Sequence, residues 1–229
     1  MLSGELTDRV DLHALPFGRD GDVLADAFVV EHATGAVARP DPSRGTALVV
    51  ADPGNDLPLA RAEGSAVAAA LAARGLSVRT LVGHEARSDA VHAGLVGASW
   101  FHYAGHGVHA GLEGWESTLP LAERGVLTVG DVLVLGAAPA RVVLSACETT
   151  RGLEGLGIAR AFAIAGAREV IGPTRAVADD LAARIVPEVY AVLAARPDRD
   201  LAGALAEVVR RERRAHPDAD WSAFRALIP

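Results

Sequence analysis

Two periods of hydrophobic positions alternate along the chain. Short apolar runs, β-branched or aromatic and free of proline, recur at residues 46–51, 77–82, 98–104, 141–145 and 168–172. Between them, apolar residues return near helical spacing over 58–74, 88–96, 128–135, 156–166, 177–195 and 200–214. Strand-like and helix-like segments in alternation predict an α/β fold with a mainly parallel sheet. The runs ending at Ala104 and Ser145 are too apolar to face water on either side, which suits inner strands. A weaker run over 23–31, ending in Phe28-Val29-Val30, predicts one more strand near the start. Residues 118–121 read as an edge segment, because Pro120 cannot donate to a central ladder.

Local punctuation sharpens these boundaries. Two prolines and two glycines make 33–45 a loop. Ser88 fits an N-cap, Thr128 with Asp131 fits a capping box, and Gly75 stands where a helix C-cap belongs. Pro187 inside 177–195 predicts a kinked or split helix. The whole reads as a polar tail at 1–9 and one domain over 10–229, with about six strands flanked by helices.

Composition narrows the function classes. Half of the 229 residues are hydrophobic, enough for a sizeable core, and the few aromatics leave it to alanine, valine and leucine. A net charge of −7 gives no nucleic-acid footprint, and all 22 basic residues are arginine. Cys147 is the single cysteine, so no internal disulfide framework exists and a reducing, cytoplasmic setting is expected. Neither a leader pattern nor a long apolar run is present, so no membrane association is expected.

The candidate chemistry sits at the ends of two runs. The segment Ser99-Trp100-Phe101-His102-Tyr103-Ala104-Gly105 delivers His106, and Val142-Val143-Leu144-Ser145-Ala146 delivers Cys147. In open parallel sheets, ligands and reactive groups gather at the carboxyl ends of strands, so neighbouring strands would bring an imidazole and a thiol to one edge. The plain alternative for Cys147 is a buried small hydrophobe. His102, His106 and His109 suggest a metal site, but they do not share one helical face, and no metal is expected. Residues 152–157, Gly-Leu-Glu-Gly-Leu-Gly, hint at a phosphate cradle but lack the dinucleotide order and any Walker lysine; they read as a substrate-facing loop.

The words His102-Tyr103-Ala104-Gly105-His106-Gly107 and Val143-Leu144-Ser145-Ala146-Cys147-Glu148-Thr149 resemble those of caspase-like (clan CD) cysteine peptidases, more narrowly of the CHAT domain. Residues 157–167 and the late word Trp221-Ser222-Ala223-Phe224 follow in the family's order. The resemblance implies a caspase-like three-layer sandwich and cleavage of a protein or peptide substrate through a Cys147 thioester. It implies His106 as general acid/base and the backbone N–H groups of Gly107 and Cys147 as oxyanion donors. No cofactor is implied. The family plan puts the specificity pocket beside the cysteine strand, making Asp52, Arg175, Asp179 and Asp180 its candidate charges. An aspartate there would favour a basic substrate residue, an arginine an acidic one. The family often carries Ser-Leu-Trp-x-Val-x-Asp where this chain has Gly172-Pro173-Thr174-Arg175-Ala176-Val177-Ala178-Asp179, without the tryptophan. The expected setting is regulated signalling or conflict, with a regulatory domain, such as a tetratricopeptide-repeat module, attached or separate. Two alternatives stand beside it: a catalytically silent interaction module of the same fold, and an acyl transferase or hydrolase of small molecules using the same thiol.

Overall fold

A computed structural model describes residues 10–18, 21–38, 45–151 and 156–229. The expected tail at 1–9 and most of the 152–157 loop lie outside the described residues. Strands β1 (Glu31–Ala33), β2 (Thr46–Ala51), β3 (Ser77–Val82), β4 (Trp100–Ala104), β7 (Arg141–Ser145), β8 (Glu169–Pro173) and β9 (Phe224–Ile228) form one sheet in the order β1-β9-β8-β7-β4-β2-β3. All neighbours are parallel except β8 and β9. A hairpin of β5 (Thr118–Pro120) and β6 (Val126–Thr128) stands apart.

The helices sort onto the two faces of the sheet by the pleat. Leu48, Val50, Phe101, Tyr103, Val142 and Leu144 point to one side, under α3 (Ser88–Leu95), α4 (Val129–Leu133) and α5 (Ile158–Ile164). Val49, Trp100, Val143 and Ile171 point to the other, under α2 (Pro58–Ala73), α6 (Asp179–Ala195) and α7 (Leu201–Ala215). Strands buried on both faces are apolar at most positions, as β2, β4 and β7 are; His102 and Ser145 are the buried polar exceptions.

Most expected elements stand where the periodicity put them. The Thr128 capping box forms in full: the Asp131 N–H donates to Thr128 Oγ1 at 3.0 Å and the Thr128 N–H to Asp131 Oδ2 at 2.9 Å. Three expectations need correction. Residues 28–30 are not a strand: a short helix, α1 (Leu24–Ala27), precedes them, and the strand begins only at Glu31. The Val23 N–H is taken by Asp26 Oδ2 at 2.9 Å, which starts the helix, whereas β1 exists only where β9 supplies its ladder. Ser88 is the first helical residue rather than the cap, and Arg87 precedes it without a side-chain cap bond. Helix α6 runs unbroken through Pro187. Proline inside a helix costs about 3 kcal/mol. Ile185, Val186, Val189 and Tyr190 are all buried around it, and each contributes about 1.5–3 kcal/mol, so packing outweighs the missing bond. The seventh strand, β9, carries the late word's Phe224 and inserts between β1 and β8.

Candidate active site

The two candidate residues, His106 and Cys147, follow adjacent strands in register. Ala104 of β4 pairs with Ser145 of β7, so His106 and Cys147 each lie two residues past a paired position on the same sheet edge. The Gly105 N–H continues the ladder to the Ser145 carbonyl at 3.1 Å. Next to it the two backbones nearly touch: a Cβ on Gly107 would lie 2.4 Å from the Cys147 carbonyl oxygen and 3.3 Å from the Cys147 nitrogen. Only glycine permits that approach. The Tyr103 hydroxyl, buried below, shares its proton between the carbonyls of Pro120 at 2.6 Å and His106 at 2.9 Å, fixing the histidine's backbone.

The turn after β7 presents the thiol. Cys147 is a free, half-buried cysteine whose Sγ lies 4.0 Å from the Val177 carbonyl. Glu148 takes the left-handed region at φ 56°, which costs a non-glycine residue roughly 1–2 kcal/mol. Buried hydroxyls hold the turn in that shape: Thr149 donates to the Ala146 carbonyl at 3.2 Å and Thr150 to that of Gly172 at 3.0 Å. The Glu148 carboxylate pairs with Arg151 at 2.8 Å.

His106 has a partner that sequence reasoning missed. Its Nε2 lies 3.0 Å from Asp56 Oδ2, on the loop between β2 and α2. A carboxylate accepts only, so this contact puts a proton on Nε2 and leaves Nδ1 as the basic nitrogen. Asp56 is one of several acidic residues in polar loops, and only the chain crossing brings it to the histidine.

Asp52 shapes that loop and does not reach the cleft beside Cys147. It is buried in the left-handed region at φ 47°, and its carboxylate takes the N–H groups of Asp56 and Leu57, both at 2.9 Å, and Arg61 at 2.7 Å. Burial raises its pKa, but the Leu57 N–H, Arg61 and the Asp56 N–H together bring it below the ordinary aspartate value.

Arg175 is likewise engaged away from the cleft. Its guanidinium holds Asp220 at 2.8 Å, Ser222 at 2.9 Å and Asp11 at 3.3 Å. The hydrogen bond to Asp220 holds its pKa above the ordinary arginine value. Its carbonyl, however, accepts the Glu148 N–H at 3.4 Å, one residue past Cys147. Asp180 pairs with Arg184 at 2.8 Å.

Asp179 is the predicted charge that lines the same cleft as Cys147. At the start of α6 it lines an open cleft together with Cys147, Gly105, Ser145, Val177 and Phe224. The cleft therefore combines one acidic residue with mainly apolar walls and the cysteine.

His102 is not a surface ligand. It is fully buried between Glu63 of α2 and Tyr190 of α6, with Nε2 3.1 Å from Glu63 Oε1 and Nδ1 3.2 Å from the Tyr190 hydroxyl. Among the described residues, no group of three histidine, cysteine or acidic side chains could hold a metal ion. No helix among them is long and apolar enough to cross a membrane.

The CHAT domain sequence model matches residues 8–229. The chain belongs to the CHAT domain family. Among solved structures, it is similar to the Arg specific cysteine proteinase gingipain R, with a TM-score of 0.63 and 14% identity over 84% of this chain and 48% of that one. A complex of the pro- and mature domains of Porphyromonas gingivalis RgpB gives a TM-score of 0.61 and 12% identity over 84% and 49% of the two chains. Separase from Saccharomyces cerevisiae, solved with securin, gives 0.55 and 12% over 86% of this chain and 12% of that one. The CHAT chain thus spans at most about half of these neighbours, and what it shares with them is the caspase-like fold. No curated protein sequence matches it.

Proposed function

We propose that this CHAT domain is a cysteine endopeptidase that cleaves a protein substrate after a basic residue. The observation that carries the reading is the convergence, at one sheet edge, of a thiol, a histidine partnered by Asp56 and a cleft bearing Asp179. The His106 Nδ1 takes the Cys147 proton, and the thiolate attacks the scissile carbonyl. The N–H groups of Gly107 and Cys147, whose backbones lie against each other, hold the oxyanion. His106 then protonates the leaving amine, and the Cys147 thioester remains. In the second half, His106 takes a proton from water, which displaces the thiol.

The Asp179 carboxylate supports a preference for arginine or lysine before the cut, because charge-assisted hydrogen bonds to it go unmet with a neutral side chain. Regulation belongs to the same reading: a partner or attached module that moved Asp11 would move Arg175, whose carbonyl holds the residue after Cys147.

Cleavage of a diverse peptide library by the native chain, Cys147→Ala and Asp179→Asn tests this. The expected result is cutting after basic residues, abolished in Cys147→Ala and reduced roughly 10- to 100-fold in Asp179→Asn. A native chain that cuts nothing, with a thiol that resists alkylation at neutral pH, would instead make this a silent interaction module.

A further inference from the structure

A chain of buried polar groups runs from the middle of the sheet to the cleft. Ser145, two residues before Cys147, lines the cleft, and its hydroxyl donates to Glu63 Oε2 at 3.0 Å. Glu63 is only 3% exposed. It is driven onto the sheet by Gly64, where a Cβ would lie 2.4 Å from the Ala51 Cβ. Its other oxygen meets His102 at 3.1 Å, and Tyr190 closes the far side of that ring. No hydrogen bond of good geometry joins Glu63 Oε1 to His102 Nε2, so Ser145 is the well-aligned side-chain partner of this carboxylate. Burying a carboxylate in an apolar layer is expensive unless its contacts are satisfied. An alanine in that place would leave the carboxylate without its aligned partner.

A hydroxyl carries a single proton. With that proton committed to Glu63, Ser145 has only lone pairs left to offer a ligand in the cleft it lines. Asp179, the charged side chain of the cleft, also only accepts. We propose that Glu63 is a specificity-determining residue acting through Ser145: it sets the serine as a second acceptor in the cleft, so that a side chain rich in donors is admitted and one bearing an acceptor is refused. The inference rests on the reading of the cleft as the site for a basic residue. It adds that the selection is for donors as well as for charge, and that a group beneath the cleft controls it.

The discriminating pair of substrates is arginine and citrulline, equal in shape, in which one guanidinium donor is replaced by a carbonyl acceptor. A Glu63→Gln side chain can donate its amide N–H to Ser145, freeing the hydroxyl proton to turn outward and meet the citrulline oxygen. Peptides identical except for arginine or citrulline before the cut are compared by kcat/KM in the native chain, Glu63→Gln, Ser145→Ala and the double variant. The native ratio is expected to be roughly 100-fold or more, since an unmatched buried polar group together with a lost charge is heavily penalised. In Glu63→Gln it is expected to fall by about 10-fold, and in Ser145→Ala similarly. In the double variant, Glu63→Gln should add nothing to Ser145→Ala, as coupled residues behave.

A purely structural Glu63 would lower both rates together and leave the ratio unchanged, which overturns the proposal while leaving the peptidase reading intact. Should Glu63→Gln fail to fold, an unchanged ratio in Ser145→Ala overturns it alone. A native chain that cuts neither peptide counts against the peptidase reading only. The same ratio is then read as binding of the two peptides to Cys147→Ala by calorimetry, where equal affinities overturn the cleft assignment.

Discussion

At the scale of single residues, geometry separates groups that look alike in the chain. Asp52, Asp56 and Asp179 are all loop or helix-end aspartates, yet one organises a turn, one partners a histidine and one lines the cleft beside Cys147. Their consequences differ accordingly. The Asp56–His106 pair is solvent-exposed, and such pairs contribute up to about 1 kcal/mol, so Asp56→Asn should lower kcat/KM about 5-fold and leave KM nearly unchanged. Steady-state kinetics on a basic peptide would read this, and a loss of 1,000-fold or more, of the order seen for a buried triad carboxylate, would show a far more demanding role. Gly107→Ala is a different kind of change. Its backbone is not in the left-handed region, so the alanine is excluded by contact with the Cys147 carbonyl and not by strain. Moving the thiol by several tenths of an ångström should cost activity roughly 100-fold, with only a small change in thermal unfolding. A fall in Tm large enough to account for the lost activity would place the damage in the fold instead. The aligned words around His106 and Cys147 made this dyad visible in the chain. Asp56 was not legible, because an acidic residue in a polar loop has no pattern that points fifty positions ahead.

Among the elements, β1 and the 3-10 turn before it depend on titratable groups that no periodicity reveals. His13 and His32 stack with ring centroids 6.1 Å apart, beside Arg225 of β9. Burial, followed by the Arg225 charge, lowers the His13 pKa from 6.5 to about 3 and that of His32 from 6.5 to about 4. Both rings stay neutral in the fold, whereas the unfolded chain protonates them near 6.5, so the unfolded state binds more protons below that pH. Stability from these two groups is therefore full above pH 6.5, falls progressively as the pH drops, and is gone once the folded pKa values near 4 and 3 are passed. Urea midpoints measured from pH 7.5 to 4.5 should decline, and His13→Gln with His32→Gln should flatten the decline; an unchanged slope would assign it to other groups. The same scale explains the errors of sequence reading near this edge. Val23–Val30 is apolar enough for a strand, but Asp26 starts a helix there, and β1 forms only against a C-terminal partner. Strand β9 itself carries a buried arginine, 4% exposed and matched to Asp11 at 2.9 Å, and its apolar pattern is correspondingly broken.

For the whole molecule, segments from the start and end of the domain meet near the turn that follows Cys147. Asp11 holds Arg225 and Arg175, Arg175 holds Asp220, and the Arg175 carbonyl meets the residue after Cys147. Arg175→Ala should lower Tm by a few degrees, about 2–4 °C per kcal/mol in a domain of this size. It should also change the alkylation rate of Cys147 by more than that instability explains, whereas Arg184→Ala, which loses comparable ion pairs elsewhere on α6, should leave the thiol's reactivity unaltered. Equal effects of the two variants would remove Arg175 from the control of the site. Alternating periods, capping residues and two apolar words ending in His106 and Cys147 are local properties, and they alone determined the α/β class, the central strands, most helix limits and the candidate pair. Tertiary structure decided what depends on approach between distant segments. The strand order sets β4 beside β7, the β2–α2 loop brings Asp56 to the histidine, β9 enters between β1 and β8, and Glu63 lies beneath Ser145. Hydrogen bonds and ion pairs of that kind join residues whose separation along the chain carries no periodic signal, so they come into being only when the sheet closes.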